Sequence, residues 1–135
     1  MKKISGPLLD RIDIQIEVGH VEYQALSQEK SPVNSQVMRE QVLKAREIQQ
    51  KRYEQQTFST NKEIPPRLLH EICALGEAET SLMEQAFQSL GMSARAHARI
   101  LKVARTIADL EESAKIQTPH LAEAIQYRSL DKKYF

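Results

Sequence analysis

Two arginines near the start of one predicted helix are the residues best suited to chemistry in this chain. Arg95 and Arg99 follow Ser93, a residue type that commonly caps a helix N-terminus. The guanidinium groups and the free backbone N–H groups of such a helix end can bind an anion together, and phosphate is the obvious candidate. The alternative is that Arg95, Arg99 and Lys102, spaced at i, i+4 and i+7, form an ordinary solvated stripe.

The charges of this helix are reversed with respect to its dipole. The two arginines lie at the positive N-terminal end, whereas Asp109, Glu111 and Glu112 lie near the negative C-terminal end. Each misplaced surface charge costs about 0.3–1 kcal/mol. The reversal therefore indicates that an interaction other than the dipole favours the cations, and an anion bound at the N-terminus is one such interaction.

A third arginine, Arg11, lies directly before the only strand-like run in the sequence. Residues 12–18, Ile-Asp-Ile-Gln-Ile-Glu-Val, alternate apolar and polar side chains as a half-buried β-strand does. A strand needs partners for its backbone groups, and no later segment has the pattern of a second strand. We therefore expect the chain to be a C-terminal fragment whose sheet lies upstream. From the local sequence alone, Arg11 could simply pair with Asp10 or Asp13.

The other reactive side chains indicate packing rather than chemistry. His70 and Cys73 are spaced i, i+3, but a structural zinc site needs four ligands and no other residues have matching spacing, so no metal site is predicted. Cys73 is expected to be a small buried side chain and His97 to pack inside the helical domain. A single cysteine excludes an internal disulfide and favours a reducing, cytoplasmic setting.

Overall charge gives no sign of a polyanionic partner, because 19 Lys and Arg residues face 18 Asp and Glu residues. The first predicted helix has a basic side that could contact DNA phosphates in a larger assembly. Interleaved glutamates favour an ordinary solvated face instead. The basic residues are Arg39, Lys44, Arg46, Lys51 and Arg52, and the glutamates are Glu40, Glu47 and Glu54. No signal peptide or membrane-spanning segment is predicted.

Helical periodicity dominates the chain after a linker that ends at Asn34. A first helix starts near Ser35 and ends near Tyr53, with Met38, Val42, Ala45 and Ile48 as its apolar side. A polar loop follows at 55–63, and Pro65-Pro66 opens a short helix reaching about residue 74.

Three further helices follow. The third starts near Glu77, buries residues 82, 83, 86, 87 and 90, and ends at Gly91 as its C′ residue. The fourth starts after Ser93, with an apolar face at positions 97, 100, 101, 104, 107 and 108. Thr118 and Pro119 are expected as N-cap and first residue of the last helix, which runs to about Tyr127.

The predicted fold class is mainly α: a small bundle of four to five helices preceded by one orphan β-strand and a linker. The predicted boundaries are 1–34 for the strand-bearing segment and linker, 35–130 for the helical domain, and 131–135 for a frayed tail.

Three segments resemble the C-terminal part of the magnesium-chelatase-like AAA+ ATPases, closest to the bacterial ComM/YifB-type branch. They are Ser5-Gly-Pro-Leu-Leu-Asp-Arg-Ile-Asp-Ile14, residues 91–110 from Gly-Met-Ser-Ala-Arg to Ile-Ala-Asp-Leu, and Leu121-Ala-Glu-Ala-Ile-Gln-Tyr-Arg128. The similarity extends over nearly the whole chain outside the linker and the 55–63 loop. It implies that residues 1–34 end an AAA+ core and that residues 35–130 form its helical lid.

The same resemblance implies roles for the arginines. Arg11 matches the arginine finger, which reaches the nucleotide of a neighbouring subunit and stabilises charge during phosphoryl transfer. Arg95 matches the sensor 2 arginine, which contacts nucleotide phosphate, and Arg99 is a further candidate. ATP and Mg²⁺ would be bound by the parent protein, because this sequence has no phosphate loop and no strand ending in paired acids. The fragment alone is therefore not expected to be an enzyme.

For the parent protein, the resemblance implies a bacterial, cytoplasmic ATPase that works as a homo-oligomeric ring, typically a hexamer. The implied partners are the missing core of the same chain, the neighbouring subunits and DNA, on which a ComM-type motor drives branch migration during transformation. A magnesium chelatase ATPase subunit is the alternative within the family. Outside it, the alternatives are an autonomous helical DNA-binding module and a protein-interaction module.

Overall fold

The computed structural model describes residues 34–128, together with Arg11 and Ile14. These residues contain five α-helices and no strand: α1 (Ser35–Arg52), α2 (Pro66–Ile72), α3 (Glu77–Leu90), α4 (Ala94–Leu110) and α5 (Thr118–Gln126). A 3₁₀ turn, Asn61–Glu63, lies in the loop after α1. The predicted small helical bundle is confirmed. The predicted strand at 12–18 lies, apart from Ile14, outside the described residues.

Helix α4 is the central element of the bundle. Ile100, Leu101, Ala104 and Ala108 are almost completely buried, as its predicted apolar face requires. The helix packs against α5, α1 and the 3₁₀ turn. It therefore fixes the positions of α1, α5 and the 3₁₀ turn relative to one another.

The ends of the helices mostly follow their local sequence signals. Ser93 caps α4, its hydroxyl accepting from the Ala96 N–H at 3.1 Å. Gly91 ends α3 with a left-handed φ of 58°, where a side chain would be strained. The second helix is shorter than predicted and has Cys73 as its C-cap.

The start of α5 differs from the prediction by one residue. Gln117, not Thr118, is the N-cap, and Pro119 occupies the second helical position. The Gln117 side chain accepts from the backbone N–H of His120, and the His120 ring accepts from the backbone N–H of Gln117 at 3.0 Å. A histidine thus takes the part that Glu or Gln has in the usual capping box.

Three side chains on the predicted apolar sides of helices are exposed, and one of them, Phe87, was predicted to be buried. Met38 and Val42 of α1 keep 55 % and 44 % of their surface exposed, and Phe87 of α3 keeps 40 %. The N-terminal half of α1 has no buried residue, since its buried positions are Ala45 and Gln49. Phe87 lies at the rim of a groove, where its ring meets the ring of His97 edge-on, with 6.1 Å between the centroids.

Candidate functional site

The first turn of α4 presents Arg95 to solvent. Arg95 is exposed, and none of the described residues forms an ion pair or a side-chain hydrogen bond with it. Ala94 and Arg95 are the first two residues of the helix, so their N–H groups have no partner within it. The end of α4 thus combines a cationic side chain with free backbone donors and has no acidic residue in its first turn.

Arg99 lies one turn further along α4 and is partly buried. It lines a groove of about 470 Å³ between α1, α4 and α5, hereafter the α1/α4/α5 groove. Lys102 lines the same groove, and its ammonium group donates to the backbone carbonyl of Lys62 at 3.1 Å. The i, i+4, i+7 row of cations is therefore not a uniform solvated stripe, because Arg95 is exposed while Arg99 and Lys102 belong to a groove.

The acidic end of α4 is explained by a buried ion cluster. Asp109 is completely buried, and its carboxylate accepts from Arg52 at 2.6 and 2.9 Å, from Arg105 Nε at 3.2 Å and from Asn61 Nδ2 at 2.9 Å. Two guanidinium groups thus surround one carboxylate. The misplaced charge at this helix end is part of the core, not a surface charge facing the dipole.

The cluster leaves little hydrogen-bonding capacity unused. The other amino groups of Arg105 donate to the carbonyls of Ser113 and Ala114, at 2.7 and 3.1 Å. The hydrogen bonds to Asp109 stabilise the charged form of Arg52 and raise its pKa. Burial acts in the opposite direction, but its effect is smaller. Buried charges require such complete pairing.

Asn61, in the 3₁₀ turn, connects the cluster to the loop after α1. Its amide nitrogen donates to Thr106 Oγ1 at 3.0 Å as well as to Asp109, and its amide oxygen accepts from Arg52 and from the Tyr53 hydroxyl. Its backbone N–H donates to Gln49 Oε1 at 3.0 Å. A segment predicted only as a polar loop therefore contributes a buried, fully engaged side chain.

Glu111 is also engaged, through His120. Because His120 Nδ1 accepts from the backbone N–H of Gln117, its proton lies on Nε2, which donates to Glu111 at 2.6 Å. This bond joins the segment after α4 to the start of α5. Together with Asp109, it accounts for two of the three acids at the C-terminal end, since each is bonded within the domain.

The basic side of α1 divides into two parts. Arg39, Lys44, Arg46 and Lys51 are exposed, in agreement with the predicted solvated face. Arg52 is not part of that face, because only 22 % of its side chain is accessible and it is bonded to Asp109. The prediction was wrong for Arg52, since periodicity does not show a partner 57 residues away.

The histidines and the cysteine of the bundle do not form a metal centre. The described residues contain no group of three or more His, Cys, Asp or Glu side chains able to hold a metal ion. His70 and His97 lie with their ring centroids 6.5 Å apart. Burial raises the pKa of the Cys73 thiol to about 11, so that it is protonated and unreactive at neutral pH.

His97 is half-buried at the edge of the core, beside His70 of α2 and Phe87 of α3. The pKa of His97 lies below 6.5, first because burial disfavours the charged ring and second because His70 is close. The packing role predicted for His97 holds, at the rim of the core.

Arg11 is exposed, but the segments on both sides of it lie outside the described residues. The structure brings Arg95 and Arg99 together on one helix and gives no geometry between them and Arg11. Sequence reasoning did not find the cluster of Arg52, Asn61, Arg105 and Asp109. The available signal was the i, i+4 pair Arg105 and Asp109 on the helix side that also carries Ala104 and Ala108.

A family comparison decides what this bundle is. The profile described as "Magnesium chelatase, subunit ChlI C-terminal" matches residues 32–128, which include all five helices. The chain belongs to the magnesium chelatase C-terminal family. The match covers Arg95, Arg99 and the whole Asp109 cluster, and it begins after Arg11.

Relatives of this family member are bacterial. The chain is 41 % identical over 132 residues to competence protein ComM of Haemophilus influenzae, covering 96 % of this chain and 25 % of that protein. It is 35 % identical over 133 residues to the uncharacterized protein YifB of Salmonella typhimurium, covering 98 % and 26 %. An uncharacterized protein of Mycobacterium tuberculosis is 32 % identical over 126 residues, covering 93 % and 25 %.

The chain thus spans about a quarter of the length of the curated relatives it matches. In all three, the similarity extends beyond the chelatase C-terminal profile to nearly the whole chain. None of the described helices is long and apolar enough to span a bilayer.

Proposed function

We propose that this chain forms the helical lid of a magnesium-chelatase-like AAA+ ATPase of the ComM type, and that Arg95 contacts the phosphates of ATP bound in a longer protein. The observation that carries the proposal is the first turn of α4. An exposed arginine lies there beside backbone donors that have no partner within the helix, and the first turn contains no acid. A triphosphate supplies the negative charge that this helix end lacks.

The buried cluster at the other end of α4 supports this role. Asp109 is bonded to Arg52 of α1, and the cluster fixes α4 relative to α1 and the loop after it. A phosphate contact at Arg95 is then transmitted to the whole bundle rather than absorbed by a flexible helix. A sensor of nucleotide state requires this stiffness, because the ligand must favour one lid position over another.

Arg11 is proposed as the arginine finger and Arg99 as a secondary phosphate contact. Arg11 is exposed, as a residue acting on a neighbouring subunit must be before assembly. Arg99 follows Arg95 by one helical turn on the same side of α4. Its side chain is partly buried and has less freedom to reach a ligand, so we expect Arg99 to contribute less to phosphate binding than Arg95.

ATP and Mg²⁺ belong to the proposed longer protein. The sequence contains no Gly-x-x-x-x-Gly-Lys-Ser/Thr phosphate loop, so this chain supplies phosphate contacts in cis or in trans and does not hydrolyse ATP by itself. The residues that would meet the nucleotide are Arg95, Arg99 and Arg11.

The parent is proposed to be a cytoplasmic, homo-oligomeric ring ATPase acting on DNA. The support is the 41 % identity to a protein named competence protein ComM. A chelatase ATPase subunit is the competing assignment, supported by the description of the matched family. Stimulation of ATP turnover by branched DNA would favour the first, and turnover that is indifferent to DNA would contradict it.

The assignment of Arg95 is tested in the longer protein that carries this chain. Arg95→Ala should reduce the ATPase rate by at least a hundredfold, as expected for loss of a charged transition-state contact. Arg39→Ala, which removes an exposed arginine from α1, is the matched control and should leave the rate unchanged. An Arg95→Ala rate within twofold of wild type, with helical content retained, would refute the assignment.

Arg11 is tested by mixing subunits. Arg11→Ala homo-oligomers should be inactive, since each subunit lacks the finger for its neighbour's nucleotide. Mixing them with subunits whose phosphate-loop lysine is replaced should restore part of the activity, because an intact Arg11 then faces an intact nucleotide site. Absence of any restoration in oligomers shown to be mixed would contradict action in trans.

A further inference from the structure

Two neighbouring grooves of the bundle share part of their lining. The first is the α1/α4/α5 groove of about 470 Å³, a space that remains open with Ile14 at its edge. The second, of about 270 Å³, lies between α1, the 3₁₀ turn and the C-terminal half of α4. Lys62, Thr106 and Leu110 line both, so the two form one continuous surface, hereafter the double groove.

The floor of the double groove is aliphatic and partly open to solvent. It consists of Val42 and Ala45 of α1 together with Val103, Ile107 and Leu110 of α4. Val42 is 44 % exposed and Leu110 is 36 % exposed. Single apolar side chains on a surface are ordinary, but apolar surface gathered in a concavity is typical of a site that binds a partner.

The charged groups around this floor are mainly cationic. Four of the described residues that line it are cations: Arg46, Lys62, Arg99 and Lys102. Arg46 and Lys62 are exposed, and none of the described residues forms an ion pair with either of them. The two carboxylates in the lining, Glu111 and Glu123, already accept hydrogen bonds within the chain. An occupant that complements the double groove therefore carries aliphatic and acidic side chains.

A polypeptide fits this surface better than a nucleic acid strand does. Proteins that bind single strands combine a basic groove with aromatic side chains on which the bases stack. Tyr127 is the one aromatic residue among the described residues that line the double groove, and its hydroxyl donates to Glu123 at 2.8 Å. A sugar-phosphate backbone would also leave the aliphatic floor without apolar contacts.

The suitable form of such a polypeptide is a helix. The described residues form no strand whose edge an extended peptide could join. A helix satisfies its own backbone hydrogen bonds and can place one apolar side in a groove between other helices.

We propose that the double groove binds an acidic amphipathic helix of a partner polypeptide, with aliphatic side chains on the floor at Val42 and Leu110 and carboxylates beside Arg46 and Lys62. Burial of the aliphatic side chains supplies most of the affinity, and the charges set orientation and speed association. Arg95 lines neither groove, so this binding does not rest on the nucleotide contact proposed for Arg95.

Binding of a designed peptide to this chain tests the proposal. The probe is a fluorescein-labelled helical peptide with leucines at i, i+3, i+4 and i+7 spacing and glutamates at the flanking positions. Its affinity, measured by fluorescence anisotropy, should exceed by at least about tenfold that of the same peptide with lysines in place of the glutamates. A peptide with serines in place of the leucines should bind equally weakly. Raising the NaCl concentration should weaken binding of the acidic peptide, because its charges meet cations at a solvent-accessible surface.

Charge reversal in the protein locates the binding surface. Arg46→Glu/Lys62→Glu should weaken binding of the acidic peptide by at least about tenfold, because two attractions become repulsions. Lys44→Glu/Lys51→Glu is the matched control, since it makes the same change of charge at exposed positions of α1 that line neither groove. Val42→Ser should weaken binding through the floor. All of these positions are exposed, and circular dichroism checks that each variant keeps its helical content.

Three outcomes would overturn the proposal. The first is equal affinity for the acidic and basic peptides, or equal losses in the two charge-reversal variants. The second is a labelled oligothymidine strand that binds more tightly than the acidic peptide and is released by Arg46→Glu/Lys62→Glu, which would identify the occupant as nucleic acid. The third is a dimer in sedimentation velocity that Val42→Ser abolishes, which would identify it as a second copy. None of these measurements involves ATP, so a failure here leaves the role of Arg95 untouched.

Discussion

The guanidinium of Arg52 donates two hydrogen bonds, of 2.6 and 2.9 Å, to the carboxylate of Asp109. The two residues are 57 positions apart and lie at the C-terminal ends of α1 and α4. Two-point contact of this kind fixes orientation as well as distance. The pair forms, with Arg105 and Asn61, a polar cluster next to the apolar core of the domain.

Removing the carboxylate of this cluster should be strongly destabilising. Asp109→Ala leaves Arg105, which is 4 % exposed, as an uncompensated buried charge. We expect the free energy of unfolding to fall by about 3–5 kcal/mol, measured by urea denaturation. Glu84→Ala, which removes an exposed carboxylate from α3, is the control and should change it by less than about 0.5 kcal/mol.

A double-mutant cycle isolates the contact between the two residues. Arg52→Ala should cost less than Asp109→Ala, because the Arg52 side chain remains 22 % exposed. The double variant should be less destabilised than the sum of the single variants. Simple additivity would show that the two hydrogen bonds contribute nothing to stability.

The thiol of Cys73 should react only when the bundle opens. Its side chain is buried, and burial raises its pKa to about 11, so at pH 7–8 it lacks both access and thiolate character. We expect labelling by a chromogenic disulfide reagent to follow the unfolding curve as urea is added. Rapid labelling in buffer, at the rate of a free thiol in an unfolded peptide, would contradict the buried position.

Stability should fall as the pH is lowered below neutrality, partly through His97. Its pKa in the folded state lies below 6.5, because burial and, secondarily, His70 disfavour the charged ring. The unfolded chain therefore binds a proton at higher pH than the folded chain. The free energy of unfolding decreases as the pH falls from about 7 through the folded-state pKa, and this contribution is constant below it.

His97→Phe should weaken this pH dependence, since phenylalanine retains a ring beside Phe87 and cannot titrate. The comparison is made by urea denaturation at intervals between pH 7.5 and 5. The two proteins differ only at position 97, so the difference between the two profiles reports His97. Superimposable profiles would show that His97 is not protonated differently in the two states.

The end of α3 should depend on glycine. Gly91 has a φ of 58°, and an added Cβ would meet no atom within 4 Å, so Gly91→Ala is penalised by backbone strain alone, about 1–2 kcal/mol. At Gly76, with a φ of −75°, an added Cβ would meet only the end of the Glu79 side chain, which can move. Gly76→Ala should therefore cost less, as thermal unfolding of the two variants would show.

Local signals predicted the elements of the fold, because helix caps and periodicity act within a few residues. Ser93, Gly91 and the buried side of α4 were all predicted correctly for this reason. Burial of Phe87 was predicted wrongly, and the exposure of Met38 and Val42 was not predicted, since periodicity shows which side of a helix is apolar but not whether another element covers it.

The polar part of the bundle was beyond local reasoning. Asp109 has the character of a surface acid in the sequence, and its burial depends on Arg52 and Asn61, two partners far away in the chain, as well as on nearby Arg105. Likewise, His120 caps α5 only because its ring is oriented toward the Gln117 N–H, and the residue type alone does not predict that orientation. The position of Arg95 in the first turn of α4 was predictable, because the signals of a helix start are local, and its role as a phosphate contact stays a prediction.

Helix α4 is a continuous rod of 17 residues, about 25 Å long, with its C-terminal end clamped at Asp109 and its N-terminal end carrying Arg95. Because the helix is held at its C-terminal end, a small rotation there moves its N-terminal end by a larger distance. A tilt of about 10° at the clamp displaces the far tip by roughly 4 Å, which exceeds the length of a hydrogen bond. Small repacking around one carboxylate is thus sufficient to make or break a contact at the opposite pole of the domain.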